Sequence, residues 1–142
     1  MMKKPIYMII LTAIAMSSAA HAELPGIRLV VTGADPATGT IEATVFNSAE
    51  DFLKEPFLQD SGEVSEDGRF ETEFVGLEEG VYAIVVVHDA NDNGVFDAGI
   101  LGFGGESVGY SNNVSSWFGR PDFTEAAFTV DQAGFIVEIN LD

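Results

Sequence analysis

Cysteine is absent from this 142-residue chain. No disulfide can brace the fold, and no Cys/His zinc cluster can form. Basic side chains are scarce: six Lys and Arg stand against 23 Asp and Glu, for a formal net charge of −17. Such a chain repels nucleic acid and anionic membrane, because phosphate recognition needs lysine and arginine. Histidine occurs only as His21 and His88. Ser107 and Ser111 therefore lack the partners of a hydrolase triad, and no Gly-x-Ser-x-Gly elbow is present. The glycine-rich Gly102-Phe103-Gly104-Gly105 has no lysine to make it a phosphate loop. No apolar run reaches the roughly 20 residues that a bilayer-spanning helix requires.

What is present begins with a three-part leader. Lys3 and Lys4 precede an apolar run at 6–16, and Ser17, Ser18 and Ala19 lead to Ala20-His21-Ala22. This is the layout of a secretory signal peptide, with small residues three before and one before the cut. The expectation is a cleaved segment at 1–22, a mature domain at 23–142 with no transmembrane segment, and a periplasmic or secreted location. No cysteine stands at the cut, so a lipid anchor is not expected. Cleavage removes Lys3 and Lys4 but no acid, leaving Arg28, Lys54, Arg69 and Arg120 as the only basic residues. Hydrophobic residues make up 46% of the chain, with 11 Phe. That supports one packed core rather than a solvated coil.

Strand patterns dominate the mature part. Residues 26–32 place Ile27, Leu29 and Val31 on one face. Residues 40–47 do the same with Ile41, Ala43 and Val45, and 69–74 alternates Phe70, Thr72 and Phe74 against charged partners. Residues 81–87 form a continuous apolar run fit for a central strand. Segments 126–130 and 135–141 complete the set, and a weaker strand is expected around 62–64. Asp-Pro and Asp-Gly clusters punctuate them as turns. One short helix is expected at 49–53, where Ser48 and Asp51 have capping-box spacing. Short strands at this spacing predict an all-β fold: a single antiparallel sandwich, immunoglobulin-like or transthyretin-like, of about seven strands.

The stretch 89–113 has no strand or helix period and is rich in glycine. A structureless segment beyond about 12–15 residues is uncommon in a compact domain and is usually functional or disordered. The expectation here is one long ordered loop, and it opens with chemistry. Asp89-x-Asn91-x-Asn93-Gly94-x-x-Asp97 follows the first nine positions of an EF-hand-type loop. Calcium takes six to eight oxygens, and side-chain oxygens on alternate residues converge when the backbone curls. The candidate metal ligands are Asp89, Asn91, Asn93, the carbonyl of Val95, and Asp97. Asp92 has the opposite parity and is expected in solvent. Ile100 stands where an EF-hand has its bidentate acid, so the missing carboxylate must come from elsewhere or be replaced by water; Glu106 is the nearest later acid. Two carboxylates and two amides predict weak binding, on the order of 10⁻⁴–10⁻³ M. Asp, Asn and Gly also make plain exposed turns, but five matches in register exceed what turn composition requires.

His88, at a strand end, is expected to hydrogen-bond the adjacent loop. Tyr110, Trp117, Phe118 and Phe123 are expected to anchor the loop region onto the sandwich. With no nucleophile constellation the chain reads as a non-enzymatic binding module, its partner an unknown protein or glycan, with calcium as the cofactor. The alternatives are a small hydrolase using His88 and Glu106 or the metal site, and a purely structural subunit of an envelope assembly.

The segment Leu77-Glu78-Glu79-Gly80-Val81-Tyr82 resembles the Leu-x-x-Gly-x-Tyr turn of transthyretin-like and collagen-adhesin B-type modules. Together with His88-Asp89-x-Asn91-x-Asn93-Gly94-x-x-Asp97, Gly102, Glu106 and Gly109-Tyr110-Ser111-Asn112-Asn113, it resembles more closely the exported bacterial family known as domain of unknown function 2141. Members of that family typically carry Phe where Tyr110 stands and Pro near Gly104. The resemblance implies the sandwich fold and export, and it assigns no activity.

Overall fold

The computed structural model describes residues 25–96 and 105–142. The expected signal segment therefore lies outside the described residues. In chain order the elements are β1 (Ile27–Thr32), β2 (Thr40–Phe46), β3 (Leu58–Glu63), β4 (Phe70–Phe74), β5 (Gly80–Asp89), β6 (Val108–Tyr110), a 3-10 turn (Ser111–Asn113), α1 (Phe123–Ala126), β7 (Phe128–Val130) and β8 (Phe135–Asn140).

Two sheets pack face to face as a β-sandwich. One has the order β4-β1-β8; the other runs β3-β2-β5-β6, with β7 also paired to β5. Eight strands are described where about seven were expected. All pairings are antiparallel except one: β1 runs parallel to β8, from Ile27 opposite Phe135 to Thr32 opposite Asn140. The chain reaches that position by crossing from β7, on the other sheet, through the Asp131–Gly134 turn.

Alternation decides which side chains meet between the sheets. Ile27, Leu29 and Val31 of β1, Ile41 and Val45 of β2, and Val137 and Ile139 of β8 all lie in one buried cluster. The apolar run of β5 serves two faces. Tyr82, Ile84 and Val86 point into that core. Ala83 and Val85 instead join a smaller outer cluster with Phe46, Phe52, Tyr110 and Ala126. Phe52 meets Phe46 edge-on at 5.3 Å and Phe123 at 5.7 Å.

Three expectations need correction. The strand around 62–64 is centred earlier, at Leu58–Glu63; it is a polar, largely exposed edge strand paired only to β2, so no apolar period marks it. The helix at 49–53 stops at turns. Ser48 and Asp51 do make the capping contacts, at 2.9 and 3.2 Å, but Leu53 adopts φ 61 and Pro56 follows. A single turn so interrupted cannot propagate. A helix forms instead at α1, under a capping box between Asp122 and Glu125. The 89–113 stretch also holds β6 and the 3-10 turn, elements of three residues each and too short to show a period.

The Ser111-Asn112-Asn113 corner explains how the short pieces are held. β6 pairs with residues 85–87 of β5 and β7 with residues 80–82, so the strand edge is open between them. Ser111, wholly buried, fills that gap. Its hydroxyl accepts the Ile84 N–H at 2.9 Å and donates to the Ala126 carbonyl at 2.5 Å. The Asn112 amide donates to the Glu125 and Ala127 carbonyls. The Asn113 amide donates to the Glu138 carbonyl and accepts the Asn140 N–H, closing the outer edge of β8 as a strand would.

Candidate functional site

β5 ends by delivering His88 and Asp89 to one pole of the sandwich. The His88 side chain is 3% exposed. Its ring Nε2 lies 2.7 Å from the Thr38 carbonyl. A carbonyl only accepts, so Nε2 carries the proton there. The His88 backbone N–H donates to the Ser107 carbonyl at 2.9 Å. The ring thus ties the β1–β2 connection to the start of the loop, the structural role its position suggested.

Asp89 is 5% exposed and organises the curl that follows. Its Oδ2 accepts the Gly94 N–H at 2.8 Å and its Oδ1 the Asn93 N–H at 3.2 Å. The Asn91 side-chain oxygen accepts that same Asn93 N–H at 3.1 Å, and the Asn93 side-chain oxygen accepts the Val95 N–H at 2.8 Å. The alternate oxygens of Asp89, Asn91 and Asn93 are therefore gathered around three consecutive N–H groups. The Asp89 carboxylate is the hub of that curl. Gly94, at φ 71, makes the reversal.

Burial works against the Asp89 charge. The Gly94 and Asn93 N–H groups, a side-chain hydrogen bond with Glu106, and the Asp92 N–H together outweigh it. The carboxyl is held below its ordinary value. Glu106 thus comes from 17 residues further along to meet Asp89, with one of its oxygens shielded from solvent. Asp89 and Glu106 bring two carboxyl groups to one point of the loop. Of the expected ligands, the structure assembles Asp89, Asn91, Asn93 and Glu106. Val95 follows with its N–H turned inward and its side chain in solvent. Asp97 lies outside the described residues. Among the described residues, no three His, Cys, Asp or Glu side chains gather as a metal-binding group; calcium also draws on amide and carbonyl oxygens.

Two features of the site were missed in the sequence. Asp92 is exposed, as its parity suggested, yet it is not idle: its carboxylate accepts the Thr40 hydroxyl at 2.6 Å. Gly39, beside Thr40, sits so close to the loop that a Cβ there would lie 2.1 Å from the Asp89 carbonyl oxygen. The β1–β2 connection is therefore the seat of the loop. A glycine next to a turn is too common a pattern to have revealed that contact.

The aromatic expectation divides. Tyr110 is buried and Phe123 packs on Phe52, so both are anchors. Trp117 is 90% exposed and Phe118 fully so. They sit on a turn closed by the Gly119 N–H to the Ser116 carbonyl at 3.1 Å, and they anchor nothing.

Comparison with known proteins comes down to one family. The family model described as "Uncharacterized protein conserved in bacteria (DUF2141)" matches residues 29–137. No curated protein matches the chain. Among solved structures, the crystal structure of the major plantain pollen allergen Pla l 1 aligns with 83% of this chain and 94% of its own, at 11% identity and a TM-score of 0.32. A likeness that loose says nothing about function.

Proposed function

The chain belongs to the bacterial DUF2141 family, and from that premise we propose that it is an exported, non-enzymatic β-sandwich binding module whose 89–97 loop takes calcium. The observation that carries the metal reading is the gathering of the Asp89, Asn91 and Asn93 side-chain oxygens in one curl, which Glu106 joins at Asp89. A divalent cation there would replace repulsion with coordination, and weakly hydrated Ca²⁺ suits an irregular set of oxygens better than Mg²⁺. Export is supported by the signal-peptide layout of residues 1–22. The non-enzymatic reading is supported by the chemistry of His88, whose Nε2 proton is committed to a backbone carbonyl. The ion's role in this reading is to fix the pole formed by residues 33–39, 64–69 and 89–94, which backbone hydrogen bonds and the Thr40–Asp92 contact already join. The test is thermal: calcium raises the melting midpoint of the purified chain. An unchanged midpoint removes the metal from the account.

A further inference from the structure

The outward face of β5 and β6 is apolar beyond what the described residues cover. The register sets Val85 opposite Tyr110 and Val87 opposite Val108. These side chains face away from the main core, which takes Ile84 and Val86. Phe46 and Phe52 cover Val85 and Tyr110, but Val87 and Val108 remain only half buried. A groove of about 390 Å³ opens over them, flanked by Leu53, Phe96 and Arg120. That volume falls within the roughly 300–1,000 Å³ of small-molecule sites. Trp117 borders the adjoining hollow, which shares Val108 and Tyr110. Exposed Phe96 thus flanks the groove and exposed Trp117 its neighbour, and apolar surface left in solvent around a hollow marks an interaction site.

Charge narrows the occupant. In a chain of net charge −17, a cation lining an apolar groove is a specific feature. Of the four basic residues described, Arg28 and Arg69 both pair with Glu71 on the other sheet, at 2.9 and 2.6 Å. Arg120 lines the groove. Tyr110 lines the same groove as Arg120; burial raises its hydroxyl above its ordinary value, and the Arg120 charge opposes that rise. The floor consists of side chains on a sheet face, whose backbone groups are already used in the β5–β6 ladder. A peptide laid there would find no partners for its own N–H and C=O groups. A second copy of this chain would bring a like charge of −17 against the first.

We propose that this groove binds a small amphiphile, an acyl chain ending in a carboxylate, with the chain over Val87 and Val108 and the carboxylate on Arg120. The proposal deepens the binding-module reading; of the calcium loop it uses only Phe96, which is not a proposed ligand.

Trp117 is the chain's single tryptophan and borders the hollow next to the groove, so its emission is followed together with the heat of binding. The experiment titrates octanoate, decanoate and dodecanoate below their micelle concentrations, in calcium-free buffer to avoid insoluble soaps. Trp117 emission and calorimetric heat are both followed. The expected result is a blue shift with affinity tightening about fourfold per methylene, the equivalent of burying one CH₂. Dodecanol and dodecyltrimethylammonium should bind more weakly than dodecanoate. Arg120→Gln should weaken dodecanoate by about tenfold or more, the worth of a charge-assisted hydrogen bond, and leave dodecanol unchanged. Arg69→Gln, on the opposite sheet, should change neither. No spectral shift and no heat with dodecanoate would overturn the proposal. Equal binding of dodecanoate by Arg120→Gln would overturn its anionic half. A stable dimer in sedimentation that dodecanoate cannot dissociate would assign the groove to a second copy instead. A calcium-dependent melting shift without dodecanoate binding would leave the metal reading standing and remove this one.

Discussion

Gly39→Ala and Gly94→Ala should differ sharply in cost although the backbone conformations nearly match. Gly39 has φ 66 and Gly94 φ 71. A left-handed conformation penalises any L-residue with a Cβ by about 1–2 kcal/mol, and alanine recovers up to about 1 kcal/mol by restricting the unfolded chain. At Gly94 that is the whole effect, because nothing among the described residues lies within 4 Å of the new Cβ. About 1 kcal/mol should be lost there. At Gly39 the Cβ would meet the Asp89 carbonyl oxygen at 2.1 Å and the Ala90 Cα at 2.7 Å. Both are backbone atoms, so no side-chain rotation relieves the clash. Overpacking of that kind adds about 1–3 kcal/mol, for a total near 3 kcal/mol. At about 4 °C per kcal/mol for a domain of this size, Gly39→Ala should melt roughly 12 °C below wild type and Gly94→Ala roughly 4 °C below. The assay is thermal and urea denaturation in chelator, so that cation binding does not enter. Equal midpoints for the two variants would refute the claim that the β1–β2 connection is seated on the 89–94 loop.

Ser111→Ala should cost about 1–3 kcal/mol, because it leaves the buried Ile84 N–H without its acceptor; a urea midpoint within error of wild type would contradict the corner's role. Acid stability should respond to Glu71. Hydrogen bonds from Arg28 and Arg69 hold its carboxyl below the usual 4.5, so its contribution is present above that value and is lost as pH falls through the lowered one. The pair is exposed and the effect small, but the acid limb of the melting curve of Glu71→Gln should be shallower below about pH 4.5 than that of wild type.

The residues that pack between the sheets were legible because burial on one side of a strand imposes a period of two. Ile27, Leu29 and Val31 could be placed by that rule alone. β3 escaped it: an exposed edge strand such as 58–63 has no buried face to write into its sequence. α1 was there to be read in Asp122-x-x-Glu125, and was overlooked because the strand signal at 126–130 drew in Ala126, which belongs to the helix. The parallel pairing of β1 with β8 depends on which sheet the chain returns to, a matter that no local pattern encodes. In the site, Asp89, Asn91 and Asn93 do lie on one curl, where their oxygens accept the N–H groups of residues 93–95. The approach of Glu106 to Asp89 followed from the return of the chain into β6. Trp117 and Phe118 were misplaced because aromatic residues are usually buried, and only the structure shows a turn that holds both in solvent.

Calcium binding at 89–97 is decided by a thermal melt with and without the ion. A ligand that binds only the folded state contributes RT ln(1 + [Ca²⁺]/Kd), about 1.4 kcal/mol at tenfold over Kd. That should raise the wild-type midpoint by roughly 6 °C on moving from chelator to millimolar calcium, with a smaller rise for magnesium. Asp89→Ala should abolish the rise. Asp92→Ala, which loses the Thr40 contact but no proposed ligand, should start lower and keep it. Identical wild-type midpoints in chelator and in calcium would contradict the claim and reduce the loop to an Asp- and Asn-capped turn.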